Sequence, residues 1–173
     1  LYYISCDYGT MNPCSMGLWC IDGGTAYRTA EYYYNGREER QQKTDEEYYS
    51  ALDKLARGRT IQAIVIDPSA ASFIETIRRH GKYRVIKANN AVLDGIRVTA
   101  NLLKQRKIVI CEDCGSCLEE IAGYCWEDGG TGHDRPKKER DHAMDEMRYF
   151  AVSIAKKERG SGIALRTVER TAR

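Results

Sequence analysis

Apolar residues recur along this chain first with the alternation of strands, later with the spacing of helices. "YYISCDYG" and "CSMGLWCI" predict two opening strands. Asp22-Gly23-Gly24 follows, and because glycines supply positive φ without steric cost, it predicts a tight hairpin into a third strand, "TAYRTAEYYY". Residues 44–57 open on a Thr/Asp cap signal and continue as an amphipathic helix. "IQAIVID" is a continuous apolar run, as expected of a strand covered on both faces. From Ser69, "SAASFIETIRRHG" caps and builds a helix that stops at Gly81. "YRVIKA" reads as a strand, "VLDGIRVTANLLKQRK" as a helix and "KIVI" as a short strand, with a further helix through Leu118, Ile121 and Ala122. Residues 126–140, rich in Gly, Asp, Lys and Arg, read as a loop or hairpin. The last helix begins near Asp141 and gathers Met144, Met147, Ala151 and Ile154 on one buried stripe. Three strands joined by tight turns, then alternating helices and strands, predict an α/β fold with a mixed central sheet flanked by helices.

Composition narrows the picture without naming a function. Hydrophobic residues at 42% and charged residues at 30% suit one globular domain rather than a disordered chain. The net charge of +2 is too small to announce nucleic-acid binding, so any basic footprint must be local. No apolar run approaches the roughly 18 residues of a membrane span, and no signal peptide is read. The chain lacks an initiator Met and opens directly in a strand, as a piece of a longer protein would. Seven cysteines, an odd number, suit reduced thiols inside a cell. Cys111, Cys114 and Cys117 stand at CxxCxxC spacing, and Cys125 offers a fourth thiolate for zinc. Zinc ribbons usually bring two separated knuckles together, however, and here one compact run leads from a strand end into a helix. Ordinary half-buried cysteines are the favoured reading.

The acids carry more. Asp7 ends the first strand, and Gly9 just beyond it would let backbone approach a ligand closely. Asp67 ends the apolar strand before Pro68, at the carboxyl end where ligands bind in open α/β sheets. Plainer roles stand beside these: a turn residue for Asp67, the helix N-cap for Asp141, a surface pair with Arg148 for Asp145, and packing for His142. Asp141 and Asp145, four apart on one helix, repel when ionised. Carboxylates drawn from two strand ends and a helix start suit two hard divalent cations, which sit about 3.5–4 Å apart in two-metal sites.

"ISCDYGTMNP", "IVIDPSA", the Tyr124, Trp126, Glu127 group and "RPKKERDHAMDEMRYF" together resemble the C-terminal nuclease domain of the large terminase subunit of tailed bacteriophages and prophages. The resemblance runs from about Tyr2 to Lys157 in the family's order and spacing. It implies a ribonuclease-H-like (integrase-like) fold over residues 1–158, followed by a basic tail at 159–173. It also implies a metal-dependent endonuclease that cuts concatemeric double-stranded DNA with two divalent ions, Mg²⁺ or Mn²⁺. Residue by residue, the metal acids fall on Asp7, Asp67 and Asp145, with His142 as water-orienting group, proton shuttle or extra ligand, and Asp141 returns to the cap role. DNA contacts are expected at Arg135, Lys137, Lys138, Arg140 and Lys87, with Asn89 and Asn90 lining the same cleft. The family motif commonly has Ala where Glu146 stands, so Glu146 would add a carboxylate near the site. No GxxxxGK[ST] loop occurs, so an ATPase domain is expected upstream in the parent chain. The implied partners are double-stranded DNA, the small terminase subunit, the portal protein and that ATPase domain, in the host cytoplasm and without a membrane. Two alternatives use the same residues differently. One is another ribonuclease-H-like nuclease, a junction resolvase or RNA–DNA hybrid hydrolase; the other is a zinc-stabilised binding module whose acids are surface charges.

Overall fold

The computed structural model describes residues 1–125, 136 and 139–155. In chain order the elements are β1 (Tyr2–Asp7), β2 (Cys14–Asp22), β3 (Thr25–Tyr34), α1 (Asp45–Ala56), β4 (Ile61–Ile66), α2 (Ala71–His80), β5 (Val85–Lys87), α3 (Val92–Lys104), β6 (Ile108–Ile110), α4 (Gly115–Gly123) and α5 (His142–Phe150). Helix α5 runs on into a π-helical segment, Ala151–Ala155.

The strands form one sheet in the order β5-β4-β1-β2-β3-β6. β1, β2 and β3 are antiparallel neighbours, as the two tight connections require, while β4 joins β1, β5 joins β4 and β6 joins β3 in parallel. At the hairpin Gly23 and Gly24 both have positive φ (53° and 75°), the geometry that suits a two-residue turn, and Asp22 pairs with Thr25.

Both faces of the sheet are covered. Ile4, Cys6, Ile64 and Ile66 meet Tyr48 and Leu52 of α1 and Phe73 and Ile77 of α2. The alternate residues Tyr3, Trp19, Ala63 and Val65 meet Met147 and Phe150 of α5. Trp19 and Phe150 stack with ring centroids 4.1 Å apart, and each such fully buried aromatic contributes about 1.5–3 kcal/mol. Burial on both faces explains the unbroken apolar run of β4.

Several expectations are met in detail. Thr44 and Glu47 form a complete capping box on α1, and α2 stops at Gly81 with φ 67°. The stripe of Met144, Met147, Ala151 and Ile154 is buried. Others shift. Helix α3 ends at Lys104, short of the expected Lys107, because Arg106 turns to φ 55° and Lys107 N–H closes back on Leu102 O at 2.8 Å. Ser69 does not cap α2; the cap position is Ala70, without a side-chain hydrogen bond. No helix among the described residues is long and apolar enough to cross a membrane. The loop expected around 126–140 falls largely outside the described residues, and the basic tail lies wholly outside them.

Candidate active site

The sheet register sets the first two acids side by side. Cys6 pairs with Ile66 across the parallel strands β1 and β4, so Asp7 and Asp67 leave the same sheet edge next to each other. Asp67 closes a local turn: its Oδ1 accepts the Ser69 N–H at 2.7 Å. The turn role and the site role therefore belong to one side chain, and Ser69 is used here instead of as a cap.

Helix α5 crosses this edge. His142, Asp145 and Tyr149 are three and four residues apart, so they share one helix face. His142 Nδ1 lies 2.8 Å from Asp7 Oδ2. The Tyr149 hydroxyl donates to Asp67 Oδ2 at 2.7 Å and makes a weak second contact of 3.5 Å with Asp7 Oδ1. Asn90 Nδ2 donates to the same Asp67 oxygen at 3.3 Å, while its own Oδ1 faces the Arg148 guanidinium at 3.4 Å. Arg148 in turn holds Asp145 Oδ1 through Nη2 at 2.9 Å and Nε at 3.2 Å. One connected chain thus links His142, Asp7, Tyr149, Asp67, Asn90, Arg148 and Asp145. The expected Asp145–Arg148 pair is present, but it is not a surface pair, since Arg148 is only 2% exposed. Gly95 of α3 makes room for it: a Cβ there would stand 2.6 Å from Arg148 Cγ.

The electrostatics divide the acids. Burial pushes the Asp7 carboxyl up, His142 opposes this, and the charges of Asp145 and Asp67 add to the rise. Asp67 ends below the usual carboxylate range: burial raises it, but the Ser69 and Tyr149 hydrogen bonds and the Arg148 charge outweigh that. His142 goes up despite burial, because Asp7 binds and attracts its protonated form. Burial, with Asp7 and Asp67 beside it, raises Tyr149 far enough that its hydroxyl stays a donor.

Three carboxylates and one imidazole are a donor set that hard divalent cations accept. Their oxygens are engaged with Tyr149, His142 and Arg148, and among the described residues no three His, Cys, Asp or Glu groups converge as a ready ligand shell. The fit is therefore one of donor chemistry. The same observation covers the cysteines. Cys114 and Cys117 are buried in the core, Cys111 is half-buried and Cys125 is exposed.

What holds α5 over the acids was not foreseen. Asp141 occupies the N-cap position, but its side chain makes no cap hydrogen bond. The Ala143 and Met144 amides go instead to Glu120 Oε2 of α4, at 2.7 and 3.3 Å, while Glu120 Oε1 accepts the Tyr33 hydroxyl at 2.7 Å. Helix α4 is itself capped from a distance, its Ser116 and Cys117 amides donating to Glu31 of β3. Glu31 pairs with Arg28 at 2.5 Å, and Arg28 with Glu146 at 2.8 Å. Glu146 is thus corrected: it does not join the acid cluster but points into the sheet, where it accepts from Trp19 Nε1 at 2.9 Å and from the Ser5 hydroxyl. One residue of helix rotates a side chain by about 100°, so Asp145 and Glu146 serve different faces. Gly17 leaves the necessary space, since a Cβ there would lie 2.6 Å from Glu146 Oε1. Gly9 is needed by its own loop, since a Cβ there would meet the Asn12 and Pro13 carbonyls.

Of the expected DNA contacts, Lys87 is exposed at the end of β5, three residues before Asn90. Arg140 is exposed just before α5 and lines a cavity of about 370 Å³ with Tyr33 and Glu120. Arg135, Lys137 and Lys138 lie outside the described residues, as do Trp126 and Glu127. Tyr149 was missed although its spacing from Asp145 signals it; Glu120 and Tyr33 carried no sequence signal at all.

A mixed sheet with acids at the ends of two parallel neighbours, crossed by a helix bearing a third, is the ribonuclease-H-like arrangement. The model of the Terminase RNaseH-like domain matches residues 6–153, and the chain belongs to that family. It is similar to the large terminase of a thermophilic bacteriophage solved in complex with ADP, with 44% identity, a TM-score of 0.85, and 88% of this chain against 39% of that one covered. The large terminase subunit of Escherichia phage T5 is 25% identical over 135 residues, 75% of this chain and 31% of the relative. The chain therefore spans well under half the length of either. The large terminase nuclease of thermophilic phage G20c with bound cobalt shares the fold at a TM-score of 0.66 and 13% identity, covering 88% of this chain and 81% of that one.

Proposed function

We propose that the chain is the nuclease domain of a large terminase subunit, a metal-dependent endonuclease that cuts concatemeric double-stranded viral DNA by phosphodiester hydrolysis. The observation that carries this reading is the convergence of Asp7, Asp67, His142 and Asp145 at one end of the parallel strands, linked through Tyr149, Asn90 and Arg148. Asp7, Asp67 and Asp145 would hold two divalent cations, Mg²⁺ or Mn²⁺. When bound, such a pair supplies an activated water and stabilises the leaving 3′ oxygen. The G20c nuclease has been solved with cobalt and with magnesium, which supports this choice of ion.

To act as ligands, Asp7 and Asp67 turn oxygens away from Tyr149 and His142. His142, on the same helix face as Asp145, then holds or moves a proton at the attacking water. Asp67, kept below the usual carboxylate range, is ionised and ready at neutral pH. Lys87 and Arg140, with Arg135, Lys137 and Lys138, would hold DNA by its phosphates, which position a duplex without reading its sequence. The share of the ADP-bound terminase and of the T5 subunit left uncovered supports an ATPase domain in the same parent chain. The small terminase subunit and portal protein would be partners in the host cytoplasm.

Incubation of the purified chain with supercoiled plasmid and Mn²⁺, Mg²⁺ or EDTA tests the reading. Nicking and linearisation that require metal and disappear in Asp67→Asn and Asp145→Asn support it. Undiminished cutting by Asp67→Asn would sink it.

A further inference from the structure

A row of four polar side chains crosses the sheet beneath the start of α5. Asp67 stands beside Asp7, Asp7 pairs with Ser15 of β2, and Ser15 pairs with Tyr33 of β3. Residues paired across strands project from the same face, so all four point to the side that α5 covers. Three of them have work already described: Asp67 and Asp7 in the acid cluster, and Tyr33 on Glu120. Ser15 is fully buried, and its hydroxyl is the buried side-chain polar atom without a hydrogen-bond partner among the described residues. Glu146, near Gly17 two residues along β2, is no partner, because its oxygens are taken by Ser5, Trp19 and Arg28.

A buried hydroxyl with no partner costs stability, and Ala in its place would not. Its neighbour explains why it is worth keeping. In this structure Asp7 Oδ2 is held from the helix side by His142, while Oδ1 has only a 3.5 Å contact with the Tyr149 hydroxyl, whose proton goes to Asp67. A cation competes for those same oxygens, and a ligating carboxylate that loses its hydrogen bonds loses its orientation. We propose that Ser15 is a positioning residue of this site, its hydroxyl donating to the Asp7 carboxylate from the sheet side when that carboxylate turns to a divalent cation. The inference rests on the nuclease reading above.

Mn²⁺ titration of the purified chain by calorimetry, beside thermal melting, tests it with wild type, Ser15→Ala and Asp67→Asn. The expected result is a Mn²⁺ dissociation constant raised about tenfold in Ser15→Ala, with Tm unchanged or higher. Binding equal to wild type in Ser15→Ala, while Asp67→Asn abolishes it, would overturn this inference and leave the nuclease reading standing. Weaker binding that only accompanies a fallen Tm would also overturn it, since the hydroxyl would then be a structural group. Absence of Mn²⁺ binding and of DNA cutting in wild type would remove both.

Discussion

Replacing Glu146 by Ala tests whether a buried ion pair fastens helix α5 to the sheet. Both Glu146 and Arg28 are 0% exposed, joined by Nη2–Oε2 at 2.8 Å and Nε–Oε2 at 3.2 Å, with Trp19 on the other carboxylate oxygen. Ala would leave Arg28 in the core with Glu31 as its remaining partner. Removing one member of a buried pair costs about 3–5 kcal/mol. Because Glu31 still shares the charge, the lower end applies, about 3 kcal/mol, or roughly 6–12 °C in Tm for a chain of this size. Urea unfolding and thermal melting followed by far-ultraviolet circular dichroism at neutral pH would measure it. The double variant Arg28→Met, Glu146→Leu should recover part of the loss, because the buried Arg28 charge is removed together with Glu146, while Glu31 loses Arg28 but keeps the Ser116 and Cys117 amides. A Glu146→Ala loss below about 1 kcal/mol, or single effects that simply add in the double variant, would refute a closed, desolvated pair.

Tyr149→Phe removes the hydroxyl that donates to Asp67; hydrogen bonds to charged groups are worth about 1.5–3 kcal/mol, so a loss of that order in urea unfolding is expected, together with a rise in the Asp67 pKa. Asp7 is the chief cause of the raised His142 pKa, so NMR titration of the His142 ring should show a value above the usual one that falls in Asp7→Asn. Because the folded value lies above the unfolded one, His142 stabilises the fold fully below about pH 6.5, and that contribution should vanish as pH rises through the folded value. Asp67 acts oppositely: its depressed value stabilises above the ordinary carboxylate pKa and is lost as pH falls through the folded one. Glu120→Ala should cost about 1–2 kcal/mol as a lost helix cap, with Glu120→Gln retaining much of it through its remaining carbonyl oxygen. Chemical denaturation of the two would separate cap from charge.

The sequence alone determined what depends on near neighbours. Apolar patterning set β1 to β3, an unbroken apolar run set β4, two glycines after Asp22 set the hairpin, and Thr44 with Glu47 three residues on set the start of α1. Asp7 and Asp67 were legible because each ends an apolar run, whereas His142 and the choice of Asp145 over Asp141 came from the resemblance of "DHAMDEMRYF" to the family motif. Tertiary structure decided the rest, because a donor cannot reveal in sequence which distant acceptor will reach it. Asp141 and Glu120 were both available to cap α5, and the packing of α4 against α5 chose Glu120, 23 residues away from Ala143. Asp145 and Glu146 look equivalent as adjacent acids, yet the helix turns one toward Asp67's partners and the other to an arginine 118 residues distant. Ser15 reads as an ordinary strand serine until the register puts it beside Asp7. Local periodicity fixes which face a side chain takes; only the assembled sheet, with α5 laid across it, brings to that face the groups it must satisfy.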